Sequence, residues 1–198
     1  MTAPVILASK SQARAQVLEG AGVPFAIVTA GVDEDAVKQA MLGQGASVRD
    51  IADALAEAKA ARVSTGRPEL VIGADQTLEF EGRLYDKVET REAARERLSL
   101  MRGKPHALHS AVVVARNGQA VWREVATARL QMRDFSDAFL DDYLAREGEA
   151  ALGSVGCYRL EGPGAQLFSR IDGDYFSILG LPLLGLLELL RREGVILG

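Results

Sequence analysis

A long hairpin pattern in the middle of the chain constrains the fold more than any other feature. Residues 106–115 and 120–132 each have the composition of a long strand. Between them lies Asn117-Gly118, a residue pair that favours the tight turn of a β-hairpin. The chain is therefore predicted to contain antiparallel strand pairing.

Helix and strand patterns alternate along the rest of the chain. The clearest helix pattern covers residues 48–62, where Ile51, Leu55 and Ala58 recur at i, i+4 and i+7. Ser11 and Thr90 are predicted N-caps of two further helices. Short strands are predicted at residues 5–8, 25–28 and 70–72, helices also at 135–146 and after Pro182, and an irregular glycine-rich segment at 153–164. Because the alternation is not strict, the predicted class is mixed α/β.

Composition narrows the functional class. The 198 residues suffice for one domain, which could be built as two lobes, and the net charge of −4 disfavours non-specific binding to nucleic acid. Cys157 is the only cysteine, which fits a reducing compartment. Residues 1–7 lack the pattern of a signal peptide, and the apolar run at residues 181–190 is shorter than the roughly 20 residues that span a bilayer. We expect a cytoplasmic protein that does not enter a membrane.

The first candidate site is the segment Ser9-Lys10-Ser11-Gln12-Ala13-Arg14, which follows a predicted strand and opens a predicted helix. The free N–H groups of a helix N-terminus bind anions well. Arg14 falls in the first turn, where a cation opposes the helix dipole at a cost of roughly a few tenths of a kcal/mol. A bound anion would offset that cost. Taken alone, the segment fits either a phosphate site or a capping serine beside an exposed arginine.

Acidic and basic residues elsewhere form further candidates. Glu34 belongs to an Asp33-Glu34 pair in a predicted loop, and Lys59 projects to the edge of an apolar helix face. Asp75 follows a predicted strand, and strand ends commonly contact ligands in α/β folds. Lys87 is close enough in sequence to return near Asp75 by a hairpin. Each of these residues has an equally simple structural explanation.

Several common sites are excluded by their spacing. Gly103-Lys104 lacks the glycine and the hydroxyl residue of a Walker loop. The two histidines, His106 and His109, have no accompanying cysteine pair, which argues against a zinc site. Asp172-Gly173-Asp174 does not continue as a calcium-binding loop.

Taken together, the ordered segments resemble the Maf family of nucleotide pyrophosphatases over nearly the whole chain. Each motif is weak alone, but the order and spacing of the set are specific. The matching segments are residues 7–14, 32–34, 55–60, 72–76, Lys87, 102–106, 160–162 and 178–183. The resemblance implies a Maf/inosine-triphosphatase-like mixed α/β fold, with a central mixed sheet flanked by helices and two lobes around a cleft. It also implies one domain over residues 1–198.

The resemblance further implies an enzyme that hydrolyses nucleoside triphosphates to monophosphate and pyrophosphate. Its cofactor would be Mg²⁺ or Mn²⁺ held by Glu34 and Asp75. Asp75, Lys59 and Lys87 are the residues expected to be catalytic. The residues expected to bind substrate are Ser9, Ser11, Ala13, Arg14, Gln76 and Glu161.

Gln76 and Glu161 are similar to the residues found in the subgroup that acts on 7-methyl-GTP. In the subgroup that acts on dTTP and UTP, the residue after the catalytic aspartate is typically threonine. Ala13 stands where the 7-methyl-GTP subgroup often has tryptophan. A carboxylate at Glu161 would accept from the N1–H and N2–H donors of a methylated guanine and favour its positive charge.

Other functions remain open at this level. One alternative is a pyrophosphatase for dTTP, UTP or inosine triphosphate, with the same metal chemistry and another base pocket. Another is a nucleotide-sensing regulator of septum formation without turnover. The expected partner is a nucleoside triphosphate, and the chain could form a homodimer.

Overall fold

The computed structural model describes residues 5–198, which form seven strands and seven helices. The strands are β1 (Val5–Leu7), β2 (Phe25–Ile27), β3 (Val71–Phe80), β4 (Arg83–Tyr85), β5 (Pro105–Arg116), β6 (Gln119–Met132) and β7 (Phe168–Asp172). The helices are α1 (Gln12–Gly20), α2 (Glu34–Gly43), α3 (Val48–Ser64), α4 (Arg91–Met101), α5 (Asp137–Glu147), α6 (Tyr175–Ile178) and α7 (Leu183–Arg192). Short 3-10 helices cover Gly148–Gly153 and Pro163–Leu167.

The seven strands form one mixed sheet in the order β2-β1-β3-β5-β6-β7, with β4 paired to β3. The β1 strand runs parallel to both β2 and β3, whereas β4 and β7 pair antiparallel with β3 and β6. Asn117 and Gly118 join β5 to β6 with φ values of 51° and 81°, as the tight hairpin turn requires. The predicted mixed α/β class is confirmed.

The chain forms two compact units. Of the described residues, the first contains 5–76, 110–126 and 174–198, and the second contains 77–109 and 127–173. Three strands, β3, β5 and β6, contribute residues to both units. Two lobes were expected from the sequence, and two units are present.

In the first unit, helices cover both faces of the sheet. Side chains alternate between faces along a strand. Ile72 and Ala74 of β3 therefore pack with Leu18 of α1 and Leu186 of α7. Val71 packs with Val63 of α3 on the opposite face. The second unit has its own helix pair, α4 against α5.

Most local predictions are confirmed. Ser11 and Thr90 accept hydrogen bonds from the first-turn N–H groups of α1 and α4, as N-caps do. The apolar run at residues 181–190 forms most of α7, which buries one face. No helix among residues 5–198 is long and apolar enough to cross a membrane. The predictions on the N-terminus concern residues 1–7, of which residues 1–4 lie outside the described part of the chain.

Two local predictions are wrong. Asp75 does not follow a strand but lies in the middle of β3, because the strand continues through Gly73 and Gln76 as far as Phe80. Glu34 does not lie in a loop: Asp33 caps α2 through its side chain, and Glu34 is the first residue of that helix. The negative charges of Glu34 and Asp35 in the first turn favour the helix there.

Candidate active site

A buried lysine lies between two carboxylates in the first unit. The ammonium of Lys59 is 2.5 Å from Oδ1 of Asp75 and 2.8 Å from Oε1 of Glu34. The side chains of Lys59 and Asp75 are 10% and 11% exposed, whereas that of Glu34 is 45% exposed. Three elements, α2, α3 and β3, thus bring their charged groups to one point that is open to solvent on the Glu34 side.

The close approach of α3 to β3 explains how Lys59 reaches Asp75. Gly73 lies two residues before Asp75 on the same strand face. A Cβ atom on Gly73 would lie 2.2 Å from the carbonyl oxygen of Ala56 and 2.6 Å from the amide nitrogen of Ala60. Because Gly73 has no side chain, the helix can lie against the strand and Lys59 can extend to the carboxylate.

The local charges stabilise the ionised form of Glu34. Burial by itself would raise the pKa of Glu34. The hydrogen bond from Lys59 and the charges of Lys59, Lys38 and Arg14 outweigh it, so the pKa lies below its usual value. Glu34 is therefore a charged oxygen donor at neutral pH.

Arg14 is buried and bridges three segments of the first unit. Its Nε donates to the carbonyl oxygen of Gly180 at 2.8 Å, and Nη1 donates to that of Ala74 at 2.9 Å and to Oγ of Ser9 at 3.2 Å. Burial lowers the pKa of Arg14, and the charges of Asp75 and Glu34 oppose that shift. The alternative prediction from the sequence, that Arg14 is exposed, is therefore wrong.

The two serines of the first segment flank this arginine. Ser9 Oγ accepts from the backbone N–H of Ser11 and from Arg14, which leaves the hydroxyl proton as its own donor. Ser11 Oγ accepts from the backbone N–H of Arg14 at 3.4 Å. Ala13 is partly buried in the first turn of α1. Ser9, Ser11 and Arg14 therefore lie together, as the sequence predicts for an anion site.

Gln76 follows Asp75 and points to the opposite face of β3. Its Nε2 lies 2.8 Å from Oγ of Ser110, 3.2 Å from the carbonyl oxygen of Ser177 and 3.0 Å from that of Ile178. Ser110 Oγ donates to the carbonyl oxygen of Ser177 at 2.6 Å. The amide of Gln76 is thus held by β5 and by the segment around α6.

Lys87 and Glu161 belong to the second unit. The predicted hairpin is present, because β3 pairs antiparallel with β4 and Leu78 lies opposite Tyr85. Lys87 is exposed two residues beyond Tyr85. Glu161 is exposed in a turn, where its charge interacts with that of Arg159.

The oxygen donors of the first unit fit a magnesium-type ion. Two carboxylates, Glu34 and Asp75, already contact one cationic group, the ammonium of Lys59. Within residues 5–198 there is no group of three or more His, Cys, Asp or Glu side chains placed to hold a metal. Mg²⁺ is usually bound by one or two carboxylates together with water and substrate phosphates, so two carboxylates are a sufficient protein contribution.

Sequence reasoning missed the groups that hold the site residues. Ser110 was not a candidate, and Asp174 was considered only as part of a calcium loop. Asp174 caps α6: its Oδ2 accepts from the N–H of Ser177 at 2.7 Å and from its hydroxyl at 2.6 Å. One signal for the groups that hold Gln76 and Arg14 was available in the sequence, namely the segment at residues 178–183 that resembles the family. That segment has no ionisable group, so its chemical role was not evident.

Known proteins resemble this chain over nearly its whole length. The family model described as Maf-like protein matches residues 4–193. The matched range spans the positions of all the candidate site residues.

Curated relatives match along nearly their whole length. A protein of Caulobacter vibrioides named nucleoside triphosphate pyrophosphatase is 60% identical over 193 residues, which are 98% of this chain and 97% of the relative. A protein of Granulibacter bethesdensis with the same name is 56% identical over 190 residues, 96% of each chain. A protein of Brucella suis named 7-methyl-GTP pyrophosphatase is 50% identical over 199 residues, 100% of each chain.

Proposed function

Because the chain belongs to the family of Maf-like proteins, we propose that it is a nucleoside triphosphate pyrophosphatase that releases pyrophosphate and a nucleoside monophosphate. The names of its relatives from Caulobacter and Granulibacter support this activity. The proposed substrate is a modified purine nucleotide, with 7-methyl-GTP as the first candidate.

One structural observation carries the proposal. Glu34, Lys59 and Asp75 meet at a single point, and Arg14 lies close enough for both carboxylates to affect its pKa. Hydrolysis of a phosphoanhydride requires mainly positioning and neutralisation of charge. A site with two cations and two carboxylates can supply both.

Each residue has a distinct proposed role. Asp75 accepts a proton from the attacking water. Arg14 and Lys59 bind phosphate oxygens from the first unit, and Lys59 exchanges its carboxylate partners for them when substrate binds. Ser9 and Ser11 add hydroxyl groups, and Lys87 is the third cation proposed to act in catalysis.

Glu34 and Asp75 are the residues that would hold Mg²⁺ or Mn²⁺. A bound divalent ion would neutralise phosphate charge and make a coordinated water more acidic. The pair of carboxylates matches the hard-oxygen preference of these ions.

Gln76 and Glu161 are the residues proposed to bind the base. Ala13 is the third position proposed to contact the substrate. The relative named 7-methyl-GTP pyrophosphatase favours this base among the alternatives. We further propose that the protein acts in the cytoplasm, where its single buried thiol, Cys157, would stay reduced.

The test is a pyrophosphate-release screen with Mg²⁺ or Mn²⁺ over 7-methyl-GTP, GTP, ITP, dTTP and UTP. We expect turnover that requires the metal and is highest on 7-methyl-GTP. Asp75→Asn serves as the matched inactive variant. A preference for dTTP, UTP or ITP would overturn the substrate assignment and leave the pyrophosphatase assignment in place. Nucleotide binding without any pyrophosphate release would support the regulator instead.

A further inference from the structure

The hydrogen bonds around Gln76 fix which end of its amide faces the protein. Backbone carbonyl oxygens only accept hydrogen bonds. The carbonyl groups of Ser177 and Ile178 therefore require the NH₂ end of Gln76, as the distances of 3.2 and 3.0 Å indicate. The opposite orientation would place the oxygen of Gln76 against two other oxygens.

Ser110 adds a third acceptor to the same NH₂ group. A hydroxyl group has one proton, and Ser110 donates it to the carbonyl oxygen of Ser177 at 2.6 Å. Ser110 Oγ can then only accept from Gln76, at 2.8 Å. Since Ser110 is 1% exposed, water does not compete for its hydroxyl.

The carbonyl groups that face Gln76 are themselves held in place. Asp174 caps α6 through both the N–H and the hydroxyl of Ser177. Arg14 donates to the carbonyl oxygen of Gly180, three residues further along the chain. The segment from Asp174 to Gly180 is therefore anchored independently of Gln76.

We propose that Ser110 is a positioning residue that orients the amide of Gln76 with Oε1 towards the bound nucleoside, so that this position accepts from an N–H or O–H donor. The inference rests on the proposed function in that the nucleoside is the ligand. The donor is an exocyclic amino group of the base or a ribose hydroxyl group. A base edge with only acceptors would be rejected there, because two acceptors would face each other unsatisfied.

The nucleoside part of the proposal is tested by affinity ratios in Ser110→Ala. Calorimetry would compare the affinity for 7-methyl-GMP with the affinity for 7-methyl-IMP, which lacks the amino group. It would also compare 7-methyl-GMP with the 2′-deoxy and 3′-deoxy analogues of 7-methyl-GMP. We expect the preference for the donor-bearing nucleotide to fall about 2- to 12-fold, the worth of one hydrogen bond. A change against 7-methyl-IMP identifies the amino group as the donor, and a change against a deoxy analogue identifies a ribose hydroxyl. Unchanged ratios in every pair would overturn the proposal.

Two further variants separate positioning from packing. Ser110→Thr keeps the hydroxyl group and should restore the ratio. Ser64→Ala is the matched control, because Ser64 is a buried serine whose hydroxyl bonds to the backbone groups of Ala61 and Gly118. It should leave the ratio unchanged. With the triphosphates, the effect should lie in KM and not in kcat.

The orientation of the amide can also be tested without any nucleotide. Gln76→Glu would place an oxygen against the carbonyl oxygens of Ser177 and Ile178, which only accept, so we expect a lower Tm than that of the wild type at pH 8. Gln16→Glu, at an exposed position of α1, is the control. If Gln76→Glu unfolds at the wild-type temperature, the surroundings do not fix the amide and the inference is wrong, whatever the outcome of the nucleotide screen.

Discussion

At the scale of single residues, two of the cations proposed to bind phosphate differ in their burial. Arg14 is buried, and its Nε and Nη1 donate to protein groups. Lys87 lies exposed in a loop. A buried donor whose loss leaves carbonyl groups unpaired contributes to folding as well as to binding, so the two cations should differ in what their removal does.

Arg14→Ala and Lys87→Ala should each lower kcat/KM roughly 10²-fold, about 2.7 kcal/mol, if both bind phosphate in the transition state. The loss should be similar for every accepted base, because phosphates carry no base identity. Arg14→Ala should also lower the free energy of unfolding by about 2–4 kcal/mol, whereas Lys87→Ala, at an exposed position, should lower it less. Steady-state kinetics and denaturant unfolding would measure both effects.

A loss confined to one nucleotide would reassign the altered residue to base recognition. Equal stability of the two variants would show that the bonds of Arg14 to Gly180 and Ala74 contribute little to folding.

Glu161→Gln should lower activity on 7-methyl-GTP much more than on dTTP or UTP. The change replaces one acceptor by a donor, and a donor facing the N1–H/N2–H edge leaves both unsatisfied. This costs about 1–3 kcal/mol, or roughly 5- to 150-fold in kcat/KM. Parallel kinetics on purine and pyrimidine triphosphates would detect the selectivity, and Glu149→Gln, at an exposed acidic position, is a suitable control. Equal losses on all nucleotides would argue against contact with the base.

At the scale of secondary structure elements, the site depends on how closely α3 lies against β3. The two elements meet at Gly73, where the strand leaves no room for a side chain. Lys59 is carried by α3 and Asp75 by β3. A change in the spacing of the two elements would therefore alter the ion pair directly.

Gly73→Ala should destabilise the protein by about 3 kcal/mol or more, since the added methyl group would overlap backbone atoms of Ala56 and Ala60 that cannot move aside. In a chain of this length, that lowers the Tm by about 6–12 °C. Gly43→Ala is the matched control, because a Cβ atom at the C-terminal end of α2 would meet nothing within 4 Å. Calorimetry would give both values, and an unchanged Tm in Gly73→Ala would contradict the inferred close approach.

At the scale of the whole molecule, the two units carry different polar interiors. The first contains the paired charges of Glu34, Lys59 and Asp75. The second contains a buried histidine, His106, whose Nε2 lies 2.6 Å from the hydroxyl group of Tyr158. Burial lowers the pKa of His106 to about 4, so this residue is neutral in the folded protein at neutral pH.

His106 should make the protein less stable in acid. The pKa of His106 is about 4 when folded and 6.5 by its ordinary value. The unfolded chain therefore binds a proton between these values that the folded chain does not. Stability falls as the pH drops from about 6.5 to 4, by about 3 kcal/mol at most.

Chemical denaturation between pH 7.5 and 4 would measure this loss in the wild type and in His106→Gln. Glu34 also contributes at the acid end, because its lowered pKa favours the folded state above the pH at which it titrates. The variant keeps Glu34, so the difference between the two curves reports His106 alone. Parallel curves would exclude His106 as the cause.

The sequence by itself determined the features that depend on neighbouring residues. The turn at Asn117-Gly118, the N-caps Ser11 and Thr90, and the edge position of Lys59 follow from local backbone geometry and helical period. The order of the motifs also indicated the family, and with it the set of candidate site residues. Glu34 was also found as a candidate from the sequence. Its helix was not predicted, because Asp33 and Glu34 fit a loop as well as a helix start.

Only the tertiary structure decided how those residues meet. Asp75 lies in the middle of β3 because partner strands extend the strand beyond its apolar stretch, and no local signal marks that extension. Arg14 bonds to Gly180 across 166 positions of sequence, and Gln76 to Ile178 across 102. Hydrogen bonds over such separations depend on the packing of the sheet and its helices, so the orientation of Gln76 and the role of Ser110 become visible only when the chain is folded.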